Sequence, residues 1–394
     1  MPRVLAGPTT GTVSDQRYGK CYNILDNLGD ERFTVDAYAR SMDAVPSPAT
    51  VTVHTLGGAN RLEYYTKLYR TLARELRSTP PDPDIYHHMN LGYRWFNPLL
   101  LADVHDETPV VIGPCQAGHE ILAEEFNIML KHLVGTKPPR SVTDPLHRFI
   151  DASRDVVLDP PRMALFERTL EAADKVVVVH DDAKAVYAEF VDESKLETIP
   201  LGVNTDEFAY SERPDNAELV AIGSLTERKG YDILFDALGM VQAEFPDVHL
   251  NVFGEGPLEG DLRARARRDG LADNVTFHGF VDQSVVNDHL SRAQAFVHPS
   301  RSESFSLVRL EAMSTGCPAV ISDISGAREM VRDGEEGYVV PTEDADAVAD
   351  AVLRLLADHD HAKRIGRRAR ARVEDKYDWR DIGSRYIDVY ESVR

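Results

Sequence analysis

The sequence has little cysteine, and what it has is scattered. Its three cysteines, Cys21, Cys115 and Cys317, form no CxxC pair. An odd, sparse set supplies neither a disulfide framework nor a zinc site, and it fits a reducing compartment. No apolar run reaches the ~18–20 residues that a membrane helix needs, and the first residues lack the pattern of a secretory signal. These absences predict a cytoplasmic protein that at most lies on the cytoplasmic face of a membrane.

Lysine is scarce as well, because only ten of the 44 basic residues are Lys. Acidic residues number 65, and the formal net charge is −21. Such a surface repels nucleic acid over long range, so we expect no nucleic-acid partner. An excess of acid with few lysines resembles the composition of proteins from salt-accumulating, halophilic archaea. An ordinary acidic enzyme is the alternative.

The chain does have the length and the apolar content for two domains. It has 394 residues, of which 43% are hydrophobic, and short apolar runs alternate with segments of helical period. This alternation predicts βα units around parallel sheets. The Pro- and Asn-rich stretch 199–216 is expected to link the two domains, which we place at residues 1–205 and 206–378, with a C-terminal helix over 379–394.

Each half should contain its own series of strands. In the first half the predicted strands are Arg3–Gly7, Thr50–Thr55, Asp84–His88, Pro109–Gly113 and Lys175–His180. In the second half they are Leu219–Ile222, His249–Phe253, Asn274–His278, Ala295–His298 and Ala319–Ser322. Ligand sites of such βα series lie at the carboxyl ends of the strands.

The segment His298–Pro318 carries the strongest chemical signal. A strand should end at His298, and a Ser-rich turn should lead to a helix that begins near Phe305. The free backbone N–H groups at such a helix start favour an anion such as a diphosphate. Glu303 and Glu311 lie beside this anion site, where they suit neutral sugar hydroxyls better than phosphate. The alternative is that Glu303 only complements the helix dipole and that Glu311 is a surface residue.

A second signal is the turn after the predicted strand Leu219–Ile222. Gly223 and Ser224 open this turn, and two adjacent cations, Arg228 and Lys229, precede another helix. Cations at such a place can neutralise charge that develops on a leaving phosphate. The alternative, a solvated basic pair, is disfavoured because a helix start repels cations.

A third signal, the glycine turn of Gly254, Gly256 and Gly260, resembles a dinucleotide fingerprint. Its third glycine comes one position late. A single imperfect GxGxxG is weak evidence for NAD.

Taken in order, these motifs resemble the retaining GT-B glycosyltransferase family usually numbered four, the glycosyl transferases group 1. The strand Asn274–Val281 and the segment Ser325–Gly337 add to the resemblance, which covers nearly all of the second half. The resemblance implies an α/β fold of two Rossmann-like domains that face each other across a cleft. The first domain would bind the acceptor, and the second would bind a nucleotide sugar.

The activity implied is hexosyl transfer from a UDP- or GDP-sugar to a hydroxyl of a glycan or lipid-linked acceptor, with retention. No metal or other cofactor is expected, because the cations are built into the chain and we find no suitable DxD motif. By resemblance, Glu303 would contact the donor sugar, Lys229 would neutralise the diphosphate, and Glu311 would hold the ribose. Arg228 would substitute for the Arg that the family often has where Ser224 stands.

The remaining donor contacts come from the backbone in this family. The phosphates and the sugar would be lined by the amides of Ser304, Phe305, Ser306, Leu307 and Val308. The base would be contacted by the backbone of Gly279, Phe280 and Val281.

The motifs of the first half identify the acceptor-side residues less clearly. His119, in a Gly-Pro segment that resembles a variant of the family's first-domain histidine motif, is the first candidate there. His87 and His88 are alternatives, and His180 is a weaker one, since a histidine at a strand end is often structural. The aromatic segment 94–101 is either core or a contact with a lipid or membrane surface.

Three other functions remain open from the sequence. One is a nucleotide-sugar 2-epimerase, which shares the two-domain fold. Another is a sensor that binds a nucleotide sugar without turning it over. The third is an NAD enzyme, which depends on the Gly254 turn alone.

Overall fold

The computed structural model describes residues 1–7, 12–13, 24–25, 27–28, 32–42, 50–58, 61–76, 83–89, 108–115 and 167–394. The chain divides into two compact units, one of Met1–Pro200 with Ile382–Arg394 and one of Leu201–Asp381. The sequence placed the divisions a few residues away, at 205/206 and 378/379. The acceptor and donor roles assigned to the two parts stay predictions.

The first unit contains a seven-stranded parallel sheet and a two-stranded one. The strands are β1 Arg3–Ala6, β2 Thr12–Val13, β3 Thr34–Ala39, β4 Ser41–Met42, β5 Val51–Thr55, β6 Ile85–His88, β7 Val110–Cys115, β8 Lys175–Val178 and β9 Leu196–Thr198. The large sheet runs in the order β5-β3-β1-β6-β7-β8-β9, and β2 pairs with β4. Helices of this unit are α1 Arg61–Leu76, α2 Asp181–Tyr187 and the short 3₁₀ helix Glu193–Lys195.

Apolar periodicity explains how this unit packs. In α1, Tyr64, Leu68, Leu72 and Leu76 recur every four residues, and all four are buried. Spacing of this kind puts them on one face of the helix, which covers the sheet. The predicted α/β character is confirmed here, although β2, β3, β4 and β9 were not predicted.

The second unit contains a six-stranded parallel sheet. Its strands are β10 Glu218–Ile222, β11 His249–Phe253, β12 Val275–Gly279, β13 Ala295–His298, β14 Ala319–Ser322 and β15 Gly337–Val340. Its helices are the 3₁₀ turn Glu227–Lys229, α3 Tyr231–Glu244, α4 Glu259–Arg268, α5 Gln283–Arg292, α6 Leu307–Ser314, α7 Ala327–Met330, α8 Ala345–Ala357 and α9 His359–Lys376.

Strand order positions the site of this unit. The strands lie in the order β12-β11-β10-β13-β14-β15. From β10 the chain therefore moves toward one edge of the sheet, and from β13 it moves toward the other, so β10 and β13 are the adjacent strands at which these two halves begin. In open parallel sheets the loops after two such strands diverge and leave a crevice for a ligand at the carboxyl edge. The two motifs singled out in the sequence follow β10 and β13 directly.

The last helix, α10 Trp379–Ser392, starts in the second unit and ends in the first. At its start, Trp379 packs so closely on Gly202 that a Cβ on the glycine would lie 2.8 Å from the indole. Toward its end, Tyr386 and Tyr390 are fully buried. Among the described residues, no helix is both long and apolar enough to cross a membrane.

Candidate active site

The loop after β10 folds back on itself around its glycines. A Cβ on Gly223 would lie 3.2 Å from Cε of Lys229, so the lysine stem lies across the space that a side chain would fill. Gly230 has a left-handed φ of 66°, and a Cβ there would lie 2.0 Å from the carbonyl oxygen of Pro299. The Lys229 turn is therefore packed against the backbone that follows β13.

Hydrogen bonds tie these two loops together. The backbone N–H of Arg301 donates to the carbonyl of Arg228 at 2.8 Å, and Nη1 of Arg228 donates to the carbonyl of Ser302 at 2.6 Å. The guanidinium of Arg301 also pairs with Asp232 and Glu343. Side chains from the two motifs are thus held at fixed positions relative to one another.

Glu303 lies at the centre of the resulting cluster and is only 9% exposed. Its Oε1 accepts a short hydrogen bond from Nζ of Lys229, lies 3.2 Å from Nη1 of Arg228 and accepts from Oγ of Ser300 at 3.1 Å. Burial by itself raises the pKa of Glu303, but Lys229, then Arg228 and Arg309, outweigh it and hold the pKa below its ordinary value. The carboxylate is therefore ionised.

Positive charge exceeds negative charge in this cluster. Burial lowers the pKa of Lys229; Glu303 opposes that shift, and the charges of Arg228 and Arg309 add to it. The charges of Lys229, Arg228 and Arg309 thus act on one carboxylate, and a second anion would balance the remaining positive charge. Lys229 is also the only lysine between Lys195 and Lys363, in a chain that otherwise prefers arginine.

The helix beside this cluster begins two residues later than predicted. Ser306 is the N-cap, with φ −102° and ψ 100°, and α6 starts at Leu307. The sequence placed the start near Phe305, two residues before the observed one, and the Ser306 side chain makes no capping hydrogen bond. The free helical N–H groups next to the cluster are consequently those of Leu307 and Val308.

The residues between Glu303 and Glu311 differ in how they are packed. Phe305 and Val308 pack against the apolar cluster that contains Leu310 and Met313. Ser306 is buried, and Ser304 and Leu307 are half-buried. Apolar packing of Phe305 and Val308 therefore holds the turn in place.

Glu311 occupies a different environment on the same helix. It is half-buried, and the amide of Gln283 lies 3.4 Å from its Oε2. Burial raises the pKa of Glu311 to about 7, the Gln283 hydrogen bond lowers it, and the nearby Glu207 raises it. Glu311 is not a simple surface residue, since solvent would leave its pKa near the ordinary value.

Gln283 also connects Glu311 with the predicted base contacts, because α5 begins directly after them. Gly279 ends β12 with a left-handed φ of 68°. Phe280 is 57% exposed, whereas Val281 packs partly against the apolar cluster under α6. The residues predicted for base and ribose are therefore neighbours, whereas Glu303 lies on the same segment before α6 begins at Leu307.

The glycine turn that resembled a dinucleotide fingerprint has a packing role. A Cβ on Gly254 would lie 2.1 Å from the carbonyl oxygen of Gly223, and one on Gly256 would lie 2.4 Å from that of Leu225. These glycines allow the turn after β11 to approach the loop after β10. Close packing therefore accounts for the pattern on which the NAD alternative depended.

The acceptor-side candidates fall into two groups. His119 and the segment 94–101 lie outside the described residues. His87 is fully buried, with Nε2 donating to the carbonyl of Gly113 at 2.9 Å and Nδ1 accepting from Tyr390 at 2.7 Å. Burial lowers the pKa of His87 to about 3. Its neighbour, His88, is buried too, at 2.9 Å from the Tyr86 hydroxyl.

His180 has a structural use of its own. It is the N-cap of α2, where its Nδ1 accepts from the backbone N–H of Ala183 at 3.0 Å.

Ser224, which stands where the family often has Arg, is exposed on the β10 loop. Arg228, offered as its substitute, does reach the Glu303 cluster.

Some polar residues of the site were not predicted from the sequence. They are Glu207, Gln283, His298, Ser300 and Arg309. The sequence held one usable signal, since Arg309 precedes Ala312 and Met313 by three and four residues and so shares their buried helix face.

Two parallel-sheet α/β units, with a cation–carboxylate cluster after β10 and β13 of the second, have the architecture of the GT-B fold. Solved structures agree with this fold. A sucrose-phosphate synthase from Thermosynechococcus elongatus superimposes with a TM-score of 0.68 at 22% identity, covering 99% of this chain and 98% of that one. HepE from Anabaena, solved with UDP and glucose, has a TM-score of 0.68 at 17% identity, with 100% of both chains covered.

Sequence comparisons then identify the family. Residues 203–372 match the family described as Glycosyl transferases group 1. A GDP-mannose-dependent alpha-(1-6)-phosphatidylinositol monomannoside mannosyltransferase of Mycolicibacterium smegmatis is 32% identical over 290 residues, which is 66% of this chain and 76% of the relative. This chain belongs to the glycosyl transferases group 1 family, and the predicted family is confirmed.

Another relative matches over a shorter stretch. A phosphatidyl-myo-inositol mannosyltransferase of Mycobacterium leprae is 35% identical over 226 residues, or 55% of this chain. The match spans only 59% of that relative's length.

Proposed function

We propose that this protein transfers a hexosyl group from a nucleoside-diphosphate sugar to a hydroxyl of a glycan or lipid-linked acceptor. The observation that carries the proposal is the Glu303 cluster, in which Lys229 and Arg228 pair with one carboxylate and the nearby Arg309 adds a third positive charge. Such a surplus of fixed positive charge matches a diphosphate. The leaving diphosphate gains charge in the transition state, where preorganised cations act most strongly.

The two carboxylate oxygens of Glu303 have different partners. Oε1 of Glu303 takes the hydrogen bonds of Lys229 and Ser300, and no hydrogen bond joins Oε2 to another described residue. Oε2 is thus the oxygen that is available to a hydroxyl of the donor sugar. At the other end, Glu311 and Gln283 suit the ribose and the base, where hydrogen-bond acceptors are needed rather than cations.

For the donor, GDP-mannose is the first choice and UDP-sugars are the second. The relatives matched above are named as mannosyltransferases, and one of them as GDP-mannose-dependent. The same names make a phosphatidylinositol-type lipid the first acceptor to test. Contact with a membrane face would follow from such an acceptor.

We further propose retention of configuration and no requirement for a divalent cation. Retention follows from the family resemblance. Metal independence follows from the cations that the chain itself supplies to the diphosphate. Transfer that continues at an unchanged rate in excess EDTA, with an α-linked product from an α-linked donor by NMR, is the expected result.

The direct test starts from binding. Purified protein in concentrated KCl is screened by thermal shift against GDP-mannose, UDP-glucose, UDP-N-acetylglucosamine and a dTDP-sugar. A ligand that binds only the folded state raises the melting temperature by mass action. The best donor is then incubated with phosphatidylinositol vesicles, and the lipid product is analysed by mass spectrometry. No stabilisation by any nucleotide sugar, or stabilisation without transfer to any lipid or glycan acceptor, contradicts the proposal.

The other functions considered receive no support of their own. An epimerase would convert the donor without an acceptor, and the relatives matched above are all transferases by name. A sensor would bind donor without turnover, so the same two-stage assay separates it from an enzyme.

A further inference from the structure

Arg309 is a buried arginine whose presence packing does not explain. It lies in the first turn of α6, and only 2% of its surface is exposed. Its Nη2 has no hydrogen-bond partner among the described residues. Burying a guanidinium with an unsatisfied nitrogen costs stability, and a Leu or Met would fill the position without that cost. Packing therefore favours another residue type here.

The contact that Arg309 does make is with a histidine. Nε of Arg309 donates to Nδ1 of His298 at 3.2 Å. Arginine can only donate, so Nδ1 must be the bare, accepting nitrogen. Burial, followed by the charges of Arg309, Lys229 and Arg228, lowers the pKa of His298 well below its ordinary value, so the ring is neutral. A neutral ring with a bare Nδ1 carries its proton on Nε2.

The position of that proton sets the direction of the next two hydrogen bonds. Nε2–H of His298 donates to Oγ of Ser300 at 2.9 Å. The Ser300 hydroxyl is then free to donate to Oε1 of Glu303 at 3.1 Å. Nζ of Lys229 lies 3.4 Å from the same Nε2, but two donors cannot bond to each other, so Lys229 donates to Glu303 instead.

The opposite tautomer of His298 would draw the hydrogen bonds of Lys229 and Ser300 away from Glu303. With the proton on Nδ1, Nε2 becomes an acceptor within reach of both Lys229 and Ser300. A charge-assisted bond from Lys229 to His298 would then compete with the Lys229–Glu303 pair. Ser300 would turn its hydroxyl toward the ring and no longer donate to Glu303.

We propose that Arg309 is a positioning residue that holds His298 in its Nε2–H tautomer and thereby keeps Lys229 and Ser300 donating to Glu303. Its consequence for catalysis rests on the proposed transferase function. The tautomer itself does not, because it is a property of the protein without donor.

The test compares three side chains at one position. In Arg309→Met, the methyl carbon takes the place of Nε, so the size is similar but the donor is lost. In Arg309→Lys, the side chain keeps the charge and can only donate. Histidine ¹⁵N-labelled protein is examined by long-range ¹H–¹⁵N NMR without ligand, where protonated and bare ring nitrogens resonate far apart. A His298→Asn sample assigns the signals.

We expect the Nε2–H tautomer in the wild type and in Arg309→Lys, and the Nδ1–H tautomer or a mixture in Arg309→Met. A wild-type Nδ1–H tautomer overturns the proposal. So does a Met variant with the wild-type signals, or a Lys variant with those of the Met variant. If the Met variant does not fold, the wild type and the Lys variant still decide.

Turnover supplies the second readout. We expect Arg309→Met to lower kcat about 10- to 100-fold, in the range found when a hydrogen-bonding partner behind an active group is lost, with little change in the donor KM. The charged groups that face His298 are Lys229, Arg228, Arg309 and Glu303. Removing Arg309 lets the pKa of His298 rise, so kcat of the Met variant should fall further toward acid pH. A Met variant with wild-type kcat and pH profile contradicts the proposal.

Arg213 offers a matched control. It is also a buried arginine of the second unit, but all its hydrogen bonds within the described part of the chain go to backbone carbonyls, among them those of Gly316 and Ala293. Arg213→Met should lower the melting temperature and leave the His298 signals and the shape of the pH profile unchanged. A change of the His298 tautomer in Arg213→Met would mean that the tautomer reports general loosening, which overturns the proposal. If the protein transfers no sugar at all, the NMR comparison still stands by itself.

Discussion

Glu303 and Glu311 lie on one short segment and share a side chain type, yet their surroundings push them in opposite directions. Three cations surround Glu303 and keep its pKa low. Glu311 has an amide and another carboxylate near it, and burial raises its pKa to about 7. The β10 loop supplies cations to Glu303, whereas α5 supplies no cation to Glu311. The charge state of each carboxylate thus depends on the residues that neighbouring elements place beside it.

Under the proposed function, this difference would match the two ends of a nucleotide sugar. Fixed cations suit the diphosphate, whereas uncharged acceptors suit hydroxyls and a base. Changes at the two ends should therefore produce different kinds of defect: loss of turnover at the Glu303 end, and altered pH dependence of binding at the Glu311 end.

The largest effect is expected from Lys229→Ala. Loss of one preorganised charge at a developing anion costs about 10²- to 10³-fold in rate, and Glu303→Ala should also reduce transfer strongly. The measurement is kcat for sugar transfer at saturating donor. Lys363→Ala is the control, because Lys363 pairs with Asp215 at the surface of the same unit. Wild-type transfer by both Lys229→Ala and Glu303→Ala would remove the Glu303 cluster from the reaction.

Gly230→Ala should come next, as a loss of stability. The added Cβ would lie 2.0 Å from the carbonyl of Pro299, at a φ of 66°. We expect about 2–3 kcal/mol of destabilisation in urea unfolding, since strain and overlap act together.

Gly239→Ala is the matched control for this change. Gly239 is in α3, with no atom within 4 Å of an added Cβ, so an alanine there should stabilise by about 0.5–1 kcal/mol. Equal effects of the two substitutions would show that the β10 and β13 loops are not packed as described.

Glu311→Gln should change the pH dependence of donor binding. Ribose hydroxyls donate to an ionised carboxylate, so wild-type affinity should rise from pH 6 to pH 8 as Glu311 loses its proton, by up to about tenfold per pH unit on the acid side. The stability of the free protein should change in the opposite direction: the raised pKa of Glu311 contributes stability at acid pH, which is lost as the pH rises from 4.5 to about 7. Calorimetric titration from pH 6 to 8 measures the first trend, and melting curves that extend down to about pH 4 measure the second.

The Gln variant should show neither trend. Glu303→Gln is the comparison, because that carboxylate is already ionised and its replacement should not change the pH dependence between 6 and 8. A wild-type slope that survives in Glu311→Gln would assign the titration to another group.

The smallest effect is expected from Glu207→Gln. Glu207 raises the pKa of Glu311 through charge repulsion, after burial. Removing this charge should move the pH midpoint of donor binding downward by a fraction of a unit and leave kcat unchanged. An upward shift would mean that Glu207 supports the Glu311 charge in some other way.

The sequence specified the second unit better than the first. Strands β11, β13 and β14 have the predicted bounds, because apolar residues predominate in each, as they do in buried strands of parallel sheets. β3 was missed since Asp36 interrupts its apolar pattern, and the structure satisfies that carboxylate with Arg3 and His54. No pattern along the chain could show that compensation.

The site was predicted as a set of residues but not as a network. Glu303, Lys229 and Arg228 were identified through motifs, and the structure brings them together. The link from Arg309 through His298 and Ser300 was not predicted, because it depends on how a helix face meets a strand end. His119 and the donor roles of single residues stay predictions.

The path of α10 has a practical consequence for domain exchange between members of this family. Its first residues belong to the core around Gly202, and its last residues, Tyr386 and Tyr390, belong to the core around His87. A chimera that takes a complete second unit from another member would therefore have two junctions, at 200/201 and at 381/382. The second junction falls inside a helix, so a graft that keeps the helical register there should preserve both cores, and a graft cut at the preceding loop should lose one of them.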